Sequence, residues 1–212
     1  MEQEGLFAAA DGTDSRGDSG NRGTAFFEAG ASAPLAARMR PRTLDEIAGQ
    51  RHLLSEGKPL RRLIDGSGAA SVILYGPPGT GKTTIASLIA SAMGQNFVAL
   101  SALSSGVKEV RAVIDEARRD LIRGEKTVLF IDEVHRLARP AEEMLYIAME
   151  DFRVDVVVGK GPGATAIPLE LPPFTLVGAT TRAGLLPGPL RDRFGIVQRL
   201  EFYSSEDLAT IV

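Results

Sequence analysis

A glycine-rich segment with the sequence GPPGTGKTT follows a short apolar run and precedes an amphipathic stretch. Its glycines, Gly76, Gly79 and Gly81, permit a tight backbone path that points amide N–H groups at phosphate oxygens. A helix predicted to begin near Lys82 adds the positive partial charge of its N-terminus. We therefore predict a P-loop that binds ATP, with Lys82 at the β- and γ-phosphates and the Thr83 hydroxyl on Mg²⁺.

Two adjacent acids stand at the end of a second apolar run, in the segment VLFIDEVH. Asp132, at the tip of the predicted strand, is placed to hold the hydration shell of Mg²⁺. Glu133 is placed to polarise the attacking water as general base. A solvated acidic turn is the alternative for such a pair in isolation, but the P-loop upstream favours the site. The pair indicates hydrolysis, since the sequence offers no separate site for the phosphoryl acceptor of a kinase.

Hydroxyl and guanidinium groups follow the next apolar run. In the segment GATT, Thr180 is predicted to orient the lytic water beside the γ-phosphate, in preference to Thr181, and a plain polar strand end is the alternative. In LRDRFG, Arg193 or Arg191 could neutralise transition-state charge, either within the chain or from a neighbouring subunit. Surface solubility is an equal alternative for both arginines. If one of them acts between subunits, the protein must form an oligomer, most simply a ring.

Two further side chains each have a functional and a structural interpretation. His135 closely follows the acidic pair and could sense nucleotide, although a capping or packing role is favoured. Tyr203, after the last apolar run, could stack on adenine or close the hydrophobic core. The residues alone leave the choice for Tyr203 open.

The elements that must position these groups follow from hydrophobic periodicity. Five short apolar runs predict strands, and the stretches between them carry apolar residues at helical spacing. Strands that alternate with helices indicate an α/β fold with a parallel sheet covered on both faces. Residues 152–174 break this rhythm and predict an inserted β-hairpin, which is marginal alone and should dock on its own domain or a partner. The predicted core strands are Val72–Tyr75, Phe97–Leu100, Val128–Ile131, Thr175–Ala179 and Val197–Phe202.

Length and composition fit one domain plus a tail in a chain of 212 residues. Residues 1–34 are rich in small and polar types and predict a disordered tail. The chain has no cysteine, no apolar stretch long enough for a membrane span and no signal peptide, so a cytoplasmic location is expected. A net charge of −3 without a basic stripe gives no indication of DNA binding. A helix predicted to begin near Ser205 stops without a C-cap, so we expect a fragment of a longer protein.

Taken together and in this order, the four motifs resemble those of the AAA+ ATPases. Two bacterial recombination families within that class are similar to different parts of the chain. Residues 35–136 resemble replication-associated recombination protein A (RarA, also called MgsA), through segments such as PLAARMRPRTLDEIAGQRHLL and NFVALSALSSGVKEVR. Residues 137–212 resemble RuvB, the Holliday-junction branch-migration motor, through EEMLYIAMEDFRVDVVVGKGPGA, LPPFTLVGATTRAGLL and PLRDRFGIVQRLEFY.

The resemblance implies a large AAA+ ATPase subdomain over residues 35–212, with a five-stranded parallel sheet in the order 5-1-4-3-2. It implies ATP hydrolysis that drives branch migration of Holliday junctions, in a homo-oligomeric ring, most simply a hexamer, in the bacterial cytoplasm. The hairpin at 152–174 matches the element by which RuvB grips RuvA, and four-way-junction DNA would bind mainly through lid and winged-helix domains outside this sequence. Two alternatives stay open: a RarA-like ATPase at stalled replication forks, and a nucleotide-binding interaction fragment without motor activity.

The resemblance also implies roles for single residues around ATP. Met39 and Arg40 would lie near the adenine, and Tyr203 would line the nucleotide pocket. Arg193 would approach ATP, with Arg191 nearby. The residues implied in phosphate binding are Gly79, Lys82, Thr83 and Thr84, and those implied near a nucleotide at the subunit boundary are Glu150, Asp151 and Phe152.

Overall fold

The computed structural model of the chain describes residues 38–66, 70–158 and 165–211. The tail predicted at 1–34 and the hairpin turn predicted at 159–163 lie outside the described residues. None of the described helices is long and apolar enough to cross a membrane.

The described residues contain seven strands, which form two sheets. The larger sheet is parallel and has the order β2-β3-β6-β1-β7, while β4 and β5 pair with each other in antiparallel fashion. If only the five core strands are counted, this order reads 5-1-4-3-2 from the β7 edge, so the predicted sheet is confirmed. The strands are β1 (Val72–Tyr75), β2 (Asn96–Ser101), β3 (Thr127–Asp132), β4 (Arg153–Val158), β5 (Thr165–Glu170), β6 (Thr175–Thr180) and β7 (Ile196–Arg199).

Helices cover both faces of the large sheet, because its central strands are apolar on both sides. In β3, Val128 and Phe130 belong to one buried cluster, and Leu129 and Ile131 belong to the cluster on the opposite face. The α-helices are α1 (Arg51–Leu54), α2 (Pro59–Ile64), α3 (Lys82–Ala92), α4 (Val107–Ile122), α5 (Arg139–Glu150), α6 (Gly188–Arg191) and α7 (Ser205–Ile211), with short 3₁₀ helices at Leu44–Glu46, Val134–Arg136 and Ala183–Leu185.

The parallel register brings the carboxyl ends of the central strands to one edge of the sheet. Tyr75 at the end of β1 lies opposite Thr180 at the end of β6, and Ser101 lies opposite Asp132 at the end of β3. The segments that follow these strands therefore meet at this edge, where open α/β sheets bind their ligands.

The inserted hairpin is anchored at its base and exposed along its second strand. Val154 in β4 and Leu171, just after β5, are buried in the cluster that includes α4 and α5. Arg111 of α4 also donates a hydrogen bond from Nη2 to the Asp155 carbonyl at 3.2 Å. The side chain of Ile167 in β5 is 44% exposed. The base of the hairpin thus docks on its own domain, which is one of the two outcomes expected from the sequence.

The last core strand is shorter than predicted. It ends at Arg199 instead of Phe202, because the next residues find a different partner. The Gln50 side chain donates to the Glu201 carbonyl at 2.6 Å and accepts from the Glu201 N–H at 3.2 Å, in place of a neighbouring strand. Helix α7 then begins at Ser205, as predicted, and Ser204 and Asp207 form a capping box at its start, in which each side chain accepts from the other's backbone N–H.

Candidate functional site

The P-loop connects β1 to α3 and follows the tight path that its glycines predict. Gly76, Gly79 and Gly81 have φ angles of 155°, 79° and 88°. A Cβ atom on Gly76 would lie 2.4 Å from the Leu200 carbonyl oxygen, so this position requires glycine. Gly81 is the N-cap of α3, and the amide groups of the first turn of that helix face the loop. Such a loop presents N–H donors to an anion.

Lys82, the first residue of α3, is 8% exposed and closes back on the loop. Its ammonium group donates hydrogen bonds to the carbonyl oxygens of Gly76 at 2.9 Å and Pro77 at 2.8 Å. Burial lowers the pKa of Lys82, while the negative charges of Glu133 and Asp132 act in the opposite direction. The ammonium group is thus desolvated and faces the two acids that follow β3.

The acidic pair lies at the end of β3, as predicted. Asp132 accepts a hydrogen bond from the Glu133 N–H at 3.0 Å. Glu133 has a left-handed backbone, with φ 50° and ψ 45°, which is strained for a residue with a side chain. Its Oε2 atom accepts hydrogen bonds from the Thr181 N–H at 3.3 Å and the Thr181 hydroxyl at 3.2 Å, and it lies 3.1 Å from His135 Nδ1.

The two threonines after the GA dipeptide occupy different environments. Thr180 is completely buried, and its hydroxyl lies 2.7 Å from His135 Nδ1 and accepts a hydrogen bond from the Arg182 N–H. Thr181 lines the cleft described below and contacts Glu133 directly. Sequence reasoning preferred Thr180 for the water-orienting role. The structure instead brings Thr181 to the cleft, because successive residues of an extended chain point to opposite sides.

A cleft of about 1030 Å³ lies at this edge of the sheet, which is a suitable size for a nucleotide. Its lining combines the P-loop and the start of α3, the acidic pair with Thr181, and the segment around Met39 and Arg40 together with Tyr203. The lining residues predicted from the sequence are Met39, Arg40, Gly79, Gly81, Lys82, Thr83, Thr84, Asp132, Glu133 and Tyr203.

Tyr203 is half-buried beside the P-loop. Its hydroxyl lies 3.4 Å from the Thr80 carbonyl oxygen, and a Cβ atom on Gly81 would approach that hydroxyl to 2.8 Å. Burial and, to a smaller extent, the charge of Asp207 raise the pKa of Tyr203. Sequence reasoning did not find several other lining residues of the cleft, which include Pro41, Glu46, Ile47, Ala48, Thr210 and Ile211. Only their proximity in sequence to Met39 or to Tyr203 could have suggested them.

The cleft has oxygen donors that suit Mg²⁺. The Thr83 hydroxyl and the Asp132 carboxylate both belong to its lining. Within the part of the chain that is described, no group of three or more histidine, cysteine or acidic residues could hold a metal ion. Mg²⁺ uses few protein oxygens and retains several waters, so this small donor set fits that ion in a phosphate site.

A second group of predicted residues lies outside the cleft of its own chain. The Arg193 guanidinium pairs with Glu150 at the end of α5, donates to the Pro189 carbonyl at 2.6 Å and lies 5.0 Å from the centre of the Tyr146 ring. Arg191 has a side chain that is 57% exposed. Neither arginine lines the described cleft.

Asp151 and Phe152 continue this second group at the start of the hairpin. Asp151 forms an ion pair with Arg153 at 3.2 Å. Phe152 has a positive φ of 48° and is 41% exposed. Neither residue lines the described cleft.

Comparisons with known proteins agree with this arrangement. Residues 39–200 match the family described as "Holliday junction DNA helicase RuvB P-loop domain". The Holliday junction branch migration complex subunit RuvB of a Nocardioides species is 56% identical over 191 residues, which are 89% of this chain and 52% of that protein. The corresponding subunit of Thermobifida fusca is 54% identical over 180 residues, covering 84% of this chain and 50% of that protein.

Solved structures give the same result. The structure described as the Thermotoga maritima RuvB Holliday junction branch migration motor superimposes with a TM-score of 0.65 and 39% identity, over 82% of this chain and 52% of that one. The chain spans about half the length of the curated relatives that it matches. The family match begins at residue 39, so the similarity to RuvB also covers most of residues 35–136, the part whose sequence resembles RarA.

Proposed function

Because this chain belongs to the RuvB family of P-loop domains, we propose that it is the ATP-hydrolysing part of a motor that drives branch migration of Holliday junctions. One observation supports this proposal above all. The P-loop, the pair Asp132 and Glu133, and Thr181 come from three separate parts of the chain and line a single cleft of nucleotide size. The relatives are bacterial, and we propose that the protein acts in the bacterial cytoplasm.

Each part of the cleft has a proposed role in hydrolysis. The amide groups of the P-loop, with Lys82 and Thr84, bind the phosphates, while Thr83 and Asp132 hold Mg²⁺. When bound, Mg²⁺ neutralises charge on the phosphate oxygens. Glu133 accepts a proton from the attacking water. Thr181 holds the Glu133 carboxylate through its N–H and its hydroxyl.

The adenine is proposed to lie beside Met39, Arg40 and Tyr203. These three residues line the cleft, and Met39 is 41% exposed. An aromatic ring and an apolar side chain on either side of a purine would bury its flat faces.

Steady-state ATP hydrolysis tests this function directly. Lys82→Ala should lose both nucleotide binding and turnover, because it removes the cation at the phosphates. Glu133→Gln should keep nucleotide affinity and lose turnover by about 10²-fold or more, which is within the range that general-base catalysis supplies. Lys126→Ala and Glu56→Gln alter exposed side chains outside the cleft and serve as matched controls. Wild-type turnover no higher than that of Lys82→Ala would contradict the proposal and favour a nucleotide-binding fragment without motor activity.

We further propose that Arg193 acts on the nucleotide of a neighbouring subunit in a homo-oligomeric ring. The contacts of its guanidinium with Glu150, Pro189 and Tyr146 keep it away from the cleft of its own chain. A mixture of Lys82→Ala and Arg193→Ala chains should then hydrolyse ATP faster than the two chains do separately, because each supplies what the other lacks. In the control mixture, the Lys82→Ala chain also carries Arg193→Ala, so that no chain supplies Arg193. Equal rates for the two mixtures would exclude action between subunits.

The hairpin is proposed to bind RuvA, and junction DNA is proposed to bind mainly through regions of the longer relatives beyond this chain. The exposed Ile167 of β5 offers an apolar contact. Ile167→Asp should abolish capture of this chain by immobilised RuvA. Ile122→Asp places the same charge on another exposed residue, at the end of α4, and should leave capture unchanged. Capture that survives Ile167→Asp would argue against this surface.

A further inference from the structure

His135 occupies a buried position between the proposed general base and strand β6. Only 4% of its side chain is exposed. Its Nδ1 atom lies 3.1 Å from Glu133 Oε2 and 2.7 Å from the Thr180 hydroxyl oxygen. The imidazole therefore connects the catalytic carboxylate to the end of β6 through one nitrogen atom.

The two groups around Nδ1 determine where its proton must lie. A carboxylate oxygen can only accept, and a bare Nδ1 lone pair at 3.1 Å would repel it. The Thr180 oxygen already accepts a hydrogen bond from the Arg182 N–H at 3.0 Å and has a second lone pair available. An Nδ1–H group satisfies both oxygens at once. In this tautomer, the Nδ1 lone pair does not face the lone pairs of the carboxylate oxygen.

The backbone explains why Glu133 needs such a contact. Its left-handed conformation turns the carboxylate back towards the end of β6, where Thr181 supplies the other two donors. Three donors thus converge on one oxygen atom. A hydrogen bond to a buried charged group fixes its direction more firmly than the same contact in water does.

We propose that His135 is a positioning residue, which holds Glu133 through Nδ1–H and is itself held by Thr180. This role rests on the proposed ATP hydrolysis and deepens it. Thr180 acts on the reaction indirectly, through the imidazole, whereas Thr181 contacts the general base itself. The Thr180 hydroxyl thereby gains a function that differs from direct orientation of water.

Kinetic constants of two substitutions test the role of the donor. His135→Phe keeps a planar ring and removes Nδ1–H, so kcat should fall by about tenfold or more while nucleotide affinity stays the same, since a displaced base loses part of its contribution. His135→Asn retains an N–H donor at the equivalent position and should recover most of the lost kcat. Equal losses for both variants, or an unchanged kcat in His135→Phe, would overturn the proposal.

Nuclear magnetic resonance of the ¹⁵N-histidine-labelled chain gives a test that does not depend on turnover. The chain has two histidines, and His52→Gln assigns the signals. The His135 signals should report the Nδ1–H tautomer, and Glu133→Gln should shift them. An Nε2–H tautomer with a bare Nδ1 would overturn the proposal, even for well-folded variants. Absence of wild-type hydrolysis would contradict the proposed function, while the tautomer would still decide whether His135 holds Glu133.

Discussion

Replacement of two P-loop glycines by alanine should separate backbone strain from steric exclusion. Both positions have a positive φ, 155° at Gly76 and 79° at Gly79. An alanine at Gly79 would meet nothing within 4 Å, so its cost is that of the left-handed backbone alone, about 1–2 kcal/mol. An alanine at Gly76 would lie 2.4 Å from the Leu200 carbonyl oxygen and 3.1 Å from its carbon.

The contact at Gly76 cannot be relieved by rotation of a side chain. The two nearest atoms are backbone, and the Leu200 N–H donates to the Tyr75 carbonyl at 2.7 Å next to the pairing of β1 with β7. Gly76→Ala must therefore move the end of β7 away from the P-loop, in addition to accepting a φ that is almost exclusive to glycine. We expect a loss of roughly 4 kcal/mol, in the range that marks steric exclusion in a core.

Urea denaturation of the nucleotide-free protein, followed by circular dichroism, measures both free energies of unfolding. The comparison requires equal dependence on urea, so that the midpoints report stability. Gly79→Ala controls for the left-handed backbone and for the loss of a P-loop glycine. If Gly76→Ala unfolds at the same urea concentration as Gly79→Ala, the close approach of β7 to the P-loop is refuted.

Other predictions concern stability at single contacts. Burial lowers the pKa of Lys82 below its ordinary value of 10.5, so the unfolded chain binds more protons than the folded chain just below pH 10.5. The wild-type protein should therefore gain stability relative to Lys82→Met as the pH rises through that window. A difference in melting temperature that stays constant with pH would contradict this. Gln50→Leu should cost about 1–3 kcal/mol in urea denaturation, because it leaves the N–H and carbonyl of Glu201 without the amide that satisfies them. Arg139→Ala should change stability by less than about 1 kcal/mol, since its pair with Glu143 is exposed; a larger change would show an unrecognised contact.

The sequence predicted the residues that could perform chemistry and the order of the elements that carry them. Glycine spacing in the P-loop and the acids after β3 are local features, which depend on backbone freedom and on where an apolar run stops. The parallel sheet followed from apolar runs that alternate with amphipathic stretches, and its strand order came from the resemblance. The structure confirms both the sheet and its order.

The choice between neighbouring residues depended on the tertiary structure. Thr180 and Thr181 are chemically identical in sequence, and only the direction of each side chain at the end of β6 decides which one faces the cleft. The end of β7 was also not predictable, because Gln50 satisfies the backbone of Glu201 from a distant part of the chain.

By itself, then, the sequence determined the P-loop, the acidic pair and the fold class, because these depend on backbone freedom and on periodicity along the chain. The tertiary structure decided which hydroxyl meets Glu133, that His135 lies between Glu133 and Thr180, and that Arg193 lies outside the cleft of its own chain. These outcomes depend on which distant segments meet at the carboxyl edge of the sheet. A sequence pattern does not show which distant segments come together, because packing in three dimensions determines their contacts.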